Sequence, residues 1–342
     1  MYKPISLIFS VLFLITGGCG LQSDVKVLKL GHTLDQKHSV HIAMEAMAER
    51  VEELSDGKLK IDIYPGGILG SERESLELLQ LGSLDITKVS AAALEGFVEE
   101  YKVFGLPYLF ESKEHAFKVL DGPIGQEILN KGDNYWLSGL CFYDAGARSF
   151  YASVPIRKPE DLNGLKIRVM QSITSFAMVR AMGGSPTPIS WGELYTALQG
   201  KVVDGAENNP PSFYLSHHYE VCNYYTLDEH TRIPDVLIIS THVLKKLSEQ
   251  EKEWLYQAVK ESVQVQRKEW DKSEREALEA VQKEGVEIIR PDKQPFIDAV
   301  QSTYDMYKDN EKVWPLVERI RTVAPASSSP AESEGNAEEE KK

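Results

Sequence analysis

Two arginines stand near the ends of predicted strands, where a guanidinium would reach a bound ligand. Arg168 lies in the string GLKIRVM, late in a strand predicted over 162–170, and Arg148 lies in AGARSFYAS, after a strand predicted over 137–143. Ligands of open α/β sheets bind beyond the carboxyl ends of strands, and a guanidinium matches a carboxylate with two parallel N–H bonds. The two residues therefore point to an anionic ligand. The alternative is that each arginine pairs with an acid of the protein.

A loop of asparagine and proline follows a third predicted strand, over 201–205. Asn208 and Asn209 stand in the string AENNPPSFY. An asparagine amide both donates and accepts hydrogen bonds, which suits a ligand with hydroxyl or carboxylate groups. The simpler alternative is a turn, since Asn and Pro are common in turns.

Motifs of the common catalytic and cofactor sites are missing from the sequence. There is no GxGxxG after the first strand, no phosphate-binding loop with its lysine, no HExxH and no GxSxG. No Cys/His cluster has the spacing of a zinc site. We therefore predict no metal and no cofactor, and an enzyme has no positive support beyond the abundance of carboxylates.

Length and charge limit the classes of partner. The chain has 342 residues, enough for two lobes with sizeable cores. Its 52 acidic residues outnumber 38 Lys and Arg, for a net charge of −14. Such a chain repels phosphate backbones, so nucleic acid is excluded as an expected partner.

The N-terminus has the pattern of a targeting segment. A basic Lys3, an apolar run over 5–15 and small residues predict a signal peptide over 1–18. Cys19 follows where a bacterial lipoprotein would carry lipid, the alternative being simple secretion. An extracytoplasmic location follows, with membrane contact only through that lipid. The remaining Cys141 and Cys222 are predicted to be separate buried thiols rather than a disulfide.

Hydrophobic periodicity predicts alternating strands and helices. A strand over 25–30, a helix capped by Ser39, an alternating strand over 59–64 and a capping box at Ser71–Glu74 indicate an α/β fold with a largely parallel sheet. Residues 248–284 have almost no Gly or Pro, which predicts one long helix or two with an unmarked break. The residues 324–342 lack large apolar side chains and are predicted to be a disordered acidic tail.

Long ordered motifs resemble one family. The string SPTPISWGELYTALQGKVVDGAENNPPSF, with GLKIRV before it and YPGGILGSERE and GSLDIT upstream, resembles the extracytoplasmic solute-binding subunits of TRAP (tripartite ATP-independent periplasmic) transporters, the DctP-like family. The similarity covers nearly all of 26–320. It implies two α/β lobes of the flytrap type, joined by hinge strands and braced by a long helix. The implied division is 25–145 in lobe I, 146–235 in lobe II, and 236–323 returning through both.

The resemblance also implies the roles of individual residues. The carboxylate-clamping arginine of the family matches Arg168, and its second arginine matches Arg148. The asparagine after VDG-x-E matches Asn208, and the aromatic that packs on the ligand matches Trp191. Further polar contacts would come from His32 or Thr33, from Glu72 or Glu74, and from His230 with Arg232.

Within the family, the stretch AENNPPSFYLSHHYEVCNYYTLDEHT followed by IPDVLIIS resembles the branch that binds sugar acids such as hexuronates. The implied function is capture of a sugar acid and its delivery to the membrane permease subunits of a TRAP transporter. The alternatives are an exported carbohydrate-active enzyme and a ligand-sensing partner of a membrane signalling protein.

Overall fold

The computed structural model describes residues 25–324. The predicted signal peptide, Cys19 and all but the first residue of the predicted acidic tail lie outside the described residues. Within them, eleven strands form two sheets. The strands are β1 (Lys26–Gly31), β2 (Leu59–Tyr64), β3 (Ile86–Ser90), β4 (Leu137–Tyr143), β5 (Arg148–Ala152), β6 (Lys166–Val169), β7 (Ser185–Pro188), β8 (Gly205–Asn208), β9 (Tyr224–Thr231), β10 (Asp235–Ser240) and β11 (Glu287–Ile289).

Helices surround both sheets. The α-helices are α1 (Ser39–Leu54), α2 (Glu72–Gln80), α3 (Ala91–Leu94), α4 (Lys113–Asp121), α5 (Pro123–Asn130), α6 (Ile173–Ala181), α7 (Leu194–Gln199), α8 (Pro210–Leu215), α9 (Thr241–Leu244), α10 (Glu249–Lys283), α11 (Gln294–Ala299), α12 (Gln301–Asp305) and α13 (Trp314–Thr322). Short 3₁₀ helices occur at Glu99–Gly105, Asp133–Tyr135, Pro159–Leu162, Trp191–Glu193 and His218–Glu220.

Each sheet is the centre of one lobe. Lobe I is built on the sheet β2-β1-β3-β10-β4, in which β1, β2 and β3 are parallel and β10 runs antiparallel to both its neighbours. Lobe II is built on the sheet β11-β9-β5-β8-β6-β7. The chain passes between the sheets from β4 to β5 and again from β9 to β10. The structure is thus the two-lobed α/β fold that the sequence predicts.

Helix α10 is long enough to reach both lobes. It has 35 residues, which is about 52 Å at 1.5 Å per residue. Leu255 and Val259 near its start are buried in the core around α1 in lobe I, and Val281 near its end is buried in a core of lobe II. The single long helix is therefore correct, and the alternative of two helices is not. Ser248 and Glu251 form a capping box that fixes its first turn.

Local caps agree with the sequence at one helix and differ at another. The predicted capping box of Ser71 and Glu74 opens α2. The cap of α1 is His38 rather than the predicted Ser39, because the Nδ1 atom of His38 accepts from Val40 N at 3.2 Å. Burial lowers the pKa of His38 to about 3, so the imidazole is neutral and free to accept.

The prediction of a strand at 201–205 is wrong. Strand β8 begins where that prediction ends and runs through Asn208, with all four of its residues buried. The sequence did not mark it, since Glu207 and Asn208 are polar residues and buried strands are normally apolar. The strand predicted over 162–170 is likewise shorter, because Pro159–Leu162 forms a 3₁₀ helix. Cys141 and Cys222 are free and buried, as predicted.

Candidate functional site

A cavity lies between the carboxyl-terminal ends of the parallel strands of the two sheets. It contains about 920 Å³ of empty space when the open solvent at its mouth is counted. Thr33, Glu72 and Lys88 line it from lobe I, and Arg148 and Arg168 line it from lobe II. Both lobes therefore contribute polar groups to one open cavity.

Sheet register explains why the lobe II residues meet. Strand β6 is parallel to β8, with Arg168 opposite Ala206. Strand β5 is antiparallel to β8, with Ser149 opposite Asn208. The start of β5 therefore lies beside the carboxyl ends of β6 and β8, and Arg148 is the first residue of β5 rather than part of a loop after β4.

Arg168 is a buried cation without a partner acid. The residue is only 3% exposed, and its Nε donates to Ile189 O at 2.9 Å. Its Nη1 is buried and has no hydrogen-bond partner among residues 25–324. The guanidinium carbon lies 5.8 Å from the centroid of the Trp191 ring. Burial lowers the pKa of Arg168, although an arginine stays charged at any physiological pH.

Arg148, by contrast, is paired with an acid of the protein. Its Nε donates to Glu207 Oε2 at 2.5 Å, and its Nη2 donates to Glu207 Oε1 and to the Glu207 carbonyl, both at 2.9 Å. Its Nη1 donates to Asn208 Oδ1 at 2.8 Å. Of the five N–H groups of a guanidinium, one remains on Nη1. The sequence left open the alternative that each arginine pairs with an acid of the protein. That alternative is correct for Arg148 and wrong for Arg168.

His230 supports the Arg148–Glu207 pair and does not line the cavity. It is fully buried, with Nδ1 2.7 Å from Asp228 Oδ2 and Nε2 3.5 Å from Glu207 Oε2. Burial lowers the pKa of His230, but the charges of Asp228 and Glu207 outweigh it and raise that pKa to about 9. Burial raises the pKa of Glu207, and Arg148 and His230 bring it down to about 2. The predicted contact of His230 with ligand hydroxyls is thus corrected, because it lies behind Glu207.

His32 also lies away from the cavity, whereas Thr33 lines it. The Nε2 atom of His32 lies 2.9 Å from His41 Nδ1, and its Nδ1 accepts from Leu34 N at 3.1 Å. Burial, helped by the charge of Lys88, lowers the pKa of His32 to about 2. Both ring nitrogens of His32 are used within the protein. Of the two residues predicted to contact the ligand, Thr33 is therefore the one at the cavity and His32 is not.

A buried lysine and two carboxylates form the lobe I wall. Lys88 Nζ lies 3.2 Å from Asp235 Oδ1 and 3.4 Å from Glu72 Oε1, and Glu72 Oε1 also accepts from Ser90 N at 3.0 Å. Burial alone would lower the pKa of Lys88, but Asp235 and Glu72 raise it. Burial raises the pKa of Asp235, with Lys88 acting in the opposite direction. Glu74 is used by the capping box, so of the two predicted glutamates Glu72 is the one at the cavity.

Lys88 and Asp235 were not predicted as site residues. Each has a local signal: Lys88 interrupts the buried strand ITKVS, and Asp235 opens the buried strand DVLIIS. A charged residue inside a buried strand needs a partner. That signal identifies a buried charge, though not the residue that balances it.

Asn208 and Trp191 complete the lobe II wall. Asn208 Oδ1 accepts from Arg148 Nη1 and from Asn209 N, at 2.8 and 2.9 Å, which leaves its amide nitrogen as a donor toward the cavity. Trp191 packs edge-on against His218, with ring centroids 5.2 Å apart. The wall therefore combines an unpaired cation, amide donors and an aromatic surface.

The described residues hold no group of three or more His, Cys, Asp or Glu side chains arranged for a metal ion. Within residues 25–324, no helix is both long enough and apolar enough to cross a bilayer.

Within residues 25–324, two lobes surround a cavity that is lined by a buried guanidinium without a partner acid, which is the architecture of a binding protein and suits a small anion. Residues 30–310 match the model of bacterial extracellular solute-binding protein family 7 (DctP). The chain belongs to this family, whose members are the solute-binding proteins of TRAP transporters.

Solved structures of TRAP periplasmic solute-binding proteins are similar over most of the chain. One from Xanthobacter autotrophicus Py2, with bound β-D-galacturonate, is 40% identical, covers 87% of this chain and 100% of its own, and has a TM-score of 0.85. One from Anaerococcus prevotii DSM 20548, with bound D-glucuronate, is 39% identical, covers 86% and 97%, and has a TM-score of 0.85. An uncharacterized protein of Salmonella typhimurium is 42% identical over 299 residues, covering 86% of this chain and 91% of its own length.

Proposed function

We propose that this protein captures a sugar acid of the hexuronate type outside the cytoplasm and delivers it to the membrane permease subunits of a TRAP transporter. The observation that carries the proposal is Arg168, a buried guanidinium that lines the cavity and has no partner acid among residues 25–324. A buried unpaired charge is costly. A ligand carboxylate would remove that cost on binding, and this gain supplies affinity for an acid.

The comparisons support the sugar part of the proposal. Two similar solute-binding proteins hold galacturonate and glucuronate, and each is about as similar to this chain as the other. The lobe I wall adds free carboxylate oxygens and the Thr33 hydroxyl, which are suitable partners for the several hydroxyls of a hexuronate.

Each site residue has a proposed role. Arg168 clamps the carboxylate, while the remaining Nη1 hydrogen of Arg148 and the amide of Asn208 add two donors. Trp191 packs on the sugar ring, and Glu72 and Thr33 bind hydroxyls from lobe I. Closure of the lobes excludes water, which strengthens each of these bonds because the local dielectric falls.

We further propose that the site binds its ligand without transforming it, and that Cys19 carries a lipid that holds the protein at the outer face of a membrane. Recovery of unchanged hexuronate after prolonged incubation would support the first statement, and a new product would support an enzyme. Labelling of the wild type with a radioactive fatty acid, lost in Cys19→Ser, tests the second.

The direct test of the proposal is a thermal-shift screen followed by calorimetry with D-galacturonate and D-glucuronate. A bound ligand raises the unfolding temperature with the logarithm of its concentration. We expect such a rise, and we expect it to disappear in Arg168→Ala. The proposal is wrong if no sugar acid stabilises the wild type or if the variant responds like the wild type.

A further inference from the structure

The buried charges near the cavity fall into two sets of opposite character. In lobe II, Arg148 and protonated His230 are balanced by Glu207 and Asp228, and the contacts among these four residues are all 3.5 Å or shorter. This set is neutral. Arg168 stands outside it and gives lobe II one positive charge that no acid among residues 25–324 compensates.

The lobe I set carries the opposite charge. Lys88 is balanced by two carboxylates, Asp235 and Glu72, so the three residues together have a net charge of −1. Lys88 is 2% exposed and Asp235 is 7% exposed, so water screens this charge poorly. The Arg168 side of the cavity is therefore cationic, and the buried Lys88 set that faces it is anionic. Arg73 also lines the cavity from lobe I, but it is exposed and its charge is balanced by Glu77 at 3.1 Å.

The free atoms of the lobe I set are acceptors. Glu72 uses Oε1 for both Lys88 and Ser90, and Asp235 uses Oδ1 for Lys88. Glu72 Oε2 and Asp235 Oδ2 have no hydrogen-bond partner within residues 25–324, and both residues line the cavity. An ionised carboxylate only accepts hydrogen bonds. These oxygens therefore suit hydroxyl groups of a ligand and oppose a second ligand carboxylate, which has no hydrogen to donate.

We infer that Lys88, Asp235 and Glu72 make the site selective for polyhydroxy acids with one carboxylate over those with two. The inference rests on the proposed function, because it takes the first carboxylate to sit at Arg168. The third N–H of Lys88 does not reverse the preference, since two carboxylates already outweigh its charge. A diacid would place its second charge against a wall of the same sign, in a space that closure shields from water.

The sharpest test uses two open-chain acids of equal length, D-gluconate with one carboxylate and D-glucarate with two, alongside D-glucuronate. Calorimetry at pH 7.5 on the full chain is expected to give a Kd for glucarate at least about tenfold weaker than that for gluconate, a scale set by one like-charge contact at intermediate dielectric. Asp235→Asn removes one negative charge with little change in shape, and we expect it to reduce the ratio about fivefold or more.

Glu72→Gln is the second variant. Because Glu72 is partly exposed at the cavity whereas Asp235 is buried, Glu72→Gln remains informative if Asp235→Asn fails to fold. Glu249→Gln is the matched control, since it makes the same charge change at an exposed position at the start of α10. We expect the control to keep the wild-type ratio. A decrease of the ratio in either cavity variant, with no change in the control, supports the assignment.

Two results overturn the inference and leave the proposed function standing. One is equal affinity of the wild type for gluconate and glucarate while glucuronate binds. The other is a wild-type preference that both cavity variants retain, which would place the selectivity elsewhere. Absence of binding of glucuronate, gluconate and every other sugar acid tested would instead overturn the proposed function, and the inference with it.

Discussion

Arg148 and Glu207 form a buried ion pair in which two N–H groups of the guanidinium reach the two carboxylate oxygens, at 2.5 and 2.9 Å. Arg168 lies on β6, on the other side of β8 from β5, and has no such partner among the described residues. Two arginines with the same sequence signal therefore have different roles. One is held by the protein, and the other is available to a ligand.

Replacement of Arg168 by alanine should weaken binding of a hexuronate by roughly two to four decades. Loss of one partner of a buried charge pair costs about 3–5 kcal/mol, and each 1.4 kcal/mol is a factor of ten in Kd. Arg168→Lys should also bind weakly, because an ammonium cannot reproduce the fork of the guanidinium. Calorimetry with galacturonate measures both.

The control for these variants is Arg157→Ala, which removes an exposed arginine paired with Glu287. It should leave the Kd unchanged. Equal loss of affinity in Arg157→Ala and Arg168→Ala would show that overall charge, rather than the clamp, governs binding.

The two arginines should also differ in their effect on stability. Arg148→Met leaves Glu207 buried without its main partner, so we expect the free energy of unfolding to fall by about 3–5 kcal/mol. Arg168→Met removes a buried charge that has no acid beside it, so the ligand-free protein should become no less stable. Urea unfolding of both variants without ligand compares them directly. A larger loss in Arg168→Met than in Arg148→Met would contradict the assigned partners.

Sequence patterns were sufficient where the determining interactions are local. Alternation in GLKIRVM placed Arg168 on a strand, and the spacing of Ser71 and Glu74 predicted a capping box that forms. The absence of Gly and Pro over 248–284 indicated α10. Each of these features depends on residues a few positions apart.

Pairing of buried charges could not be predicted in the same way. Lys88 meets Asp235 across 147 positions, and Arg148 meets Glu207 across 59. With 52 acidic residues in the chain, no local pattern indicates which of them lies beside a given cation. The same reason explains why His230 was wrongly predicted to contact the ligand. Its partner Glu207 lies on β8, and the register of β5 with β8 and β9 places the two residues close together.

His230 should make stability depend on pH between about 6.5 and 9. The charges of Asp228 and Glu207 raise its pKa to about 9 against burial, so the folded state binds the proton more tightly than the unfolded chain does. The stabilisation is complete below pH 6.5 and is lost as pH rises through 9, by an amount of about 3 kcal/mol. Urea unfolding of wild type and His230→Gln at pH 6 and at pH 9.5 measures this dependence.

The difference in free energy of unfolding between wild type and His230→Gln should be largest at pH 6 and smallest at pH 9.5. His217→Gln is the matched control, because His217 is an exposed histidine in the same lobe. A difference that stays constant over this range would show that folding does not raise the pKa of His230.

Glu95 should give a second pH dependence of stability, at lower pH and from a carboxyl group rather than an imidazole. It follows α3 in lobe I, and its carboxyl accepts from Ser172 Oγ at 2.9 Å, and from Thr174 Oγ1 and N at 3.2 and 3.3 Å, at the start of α6 in lobe II. Burial raises the pKa of Glu95 to about 7, although these hydrogen bonds act to lower it. The carboxyl therefore joins the two lobes from a buried position where ionisation is unfavourable.

Because the folded state holds the Glu95 proton more tightly than the unfolded chain, the free energy of unfolding should fall as pH rises from about 4.5 to 7, by about 3 kcal/mol. Glu95→Gln keeps an acceptor and cannot ionise, so it should lack this decrease. In urea unfolding, its free energy of unfolding should rise relative to that of the wild type between pH 5 and pH 8. Glu276→Gln, at an exposed position on α10, should follow the wild type. If Glu95→Gln also follows the wild type at both pH values, Glu95 ionises in the folded protein as readily as in the unfolded chain. Its contacts with Ser172 and Thr174 would then compensate fully for the burial of its charge.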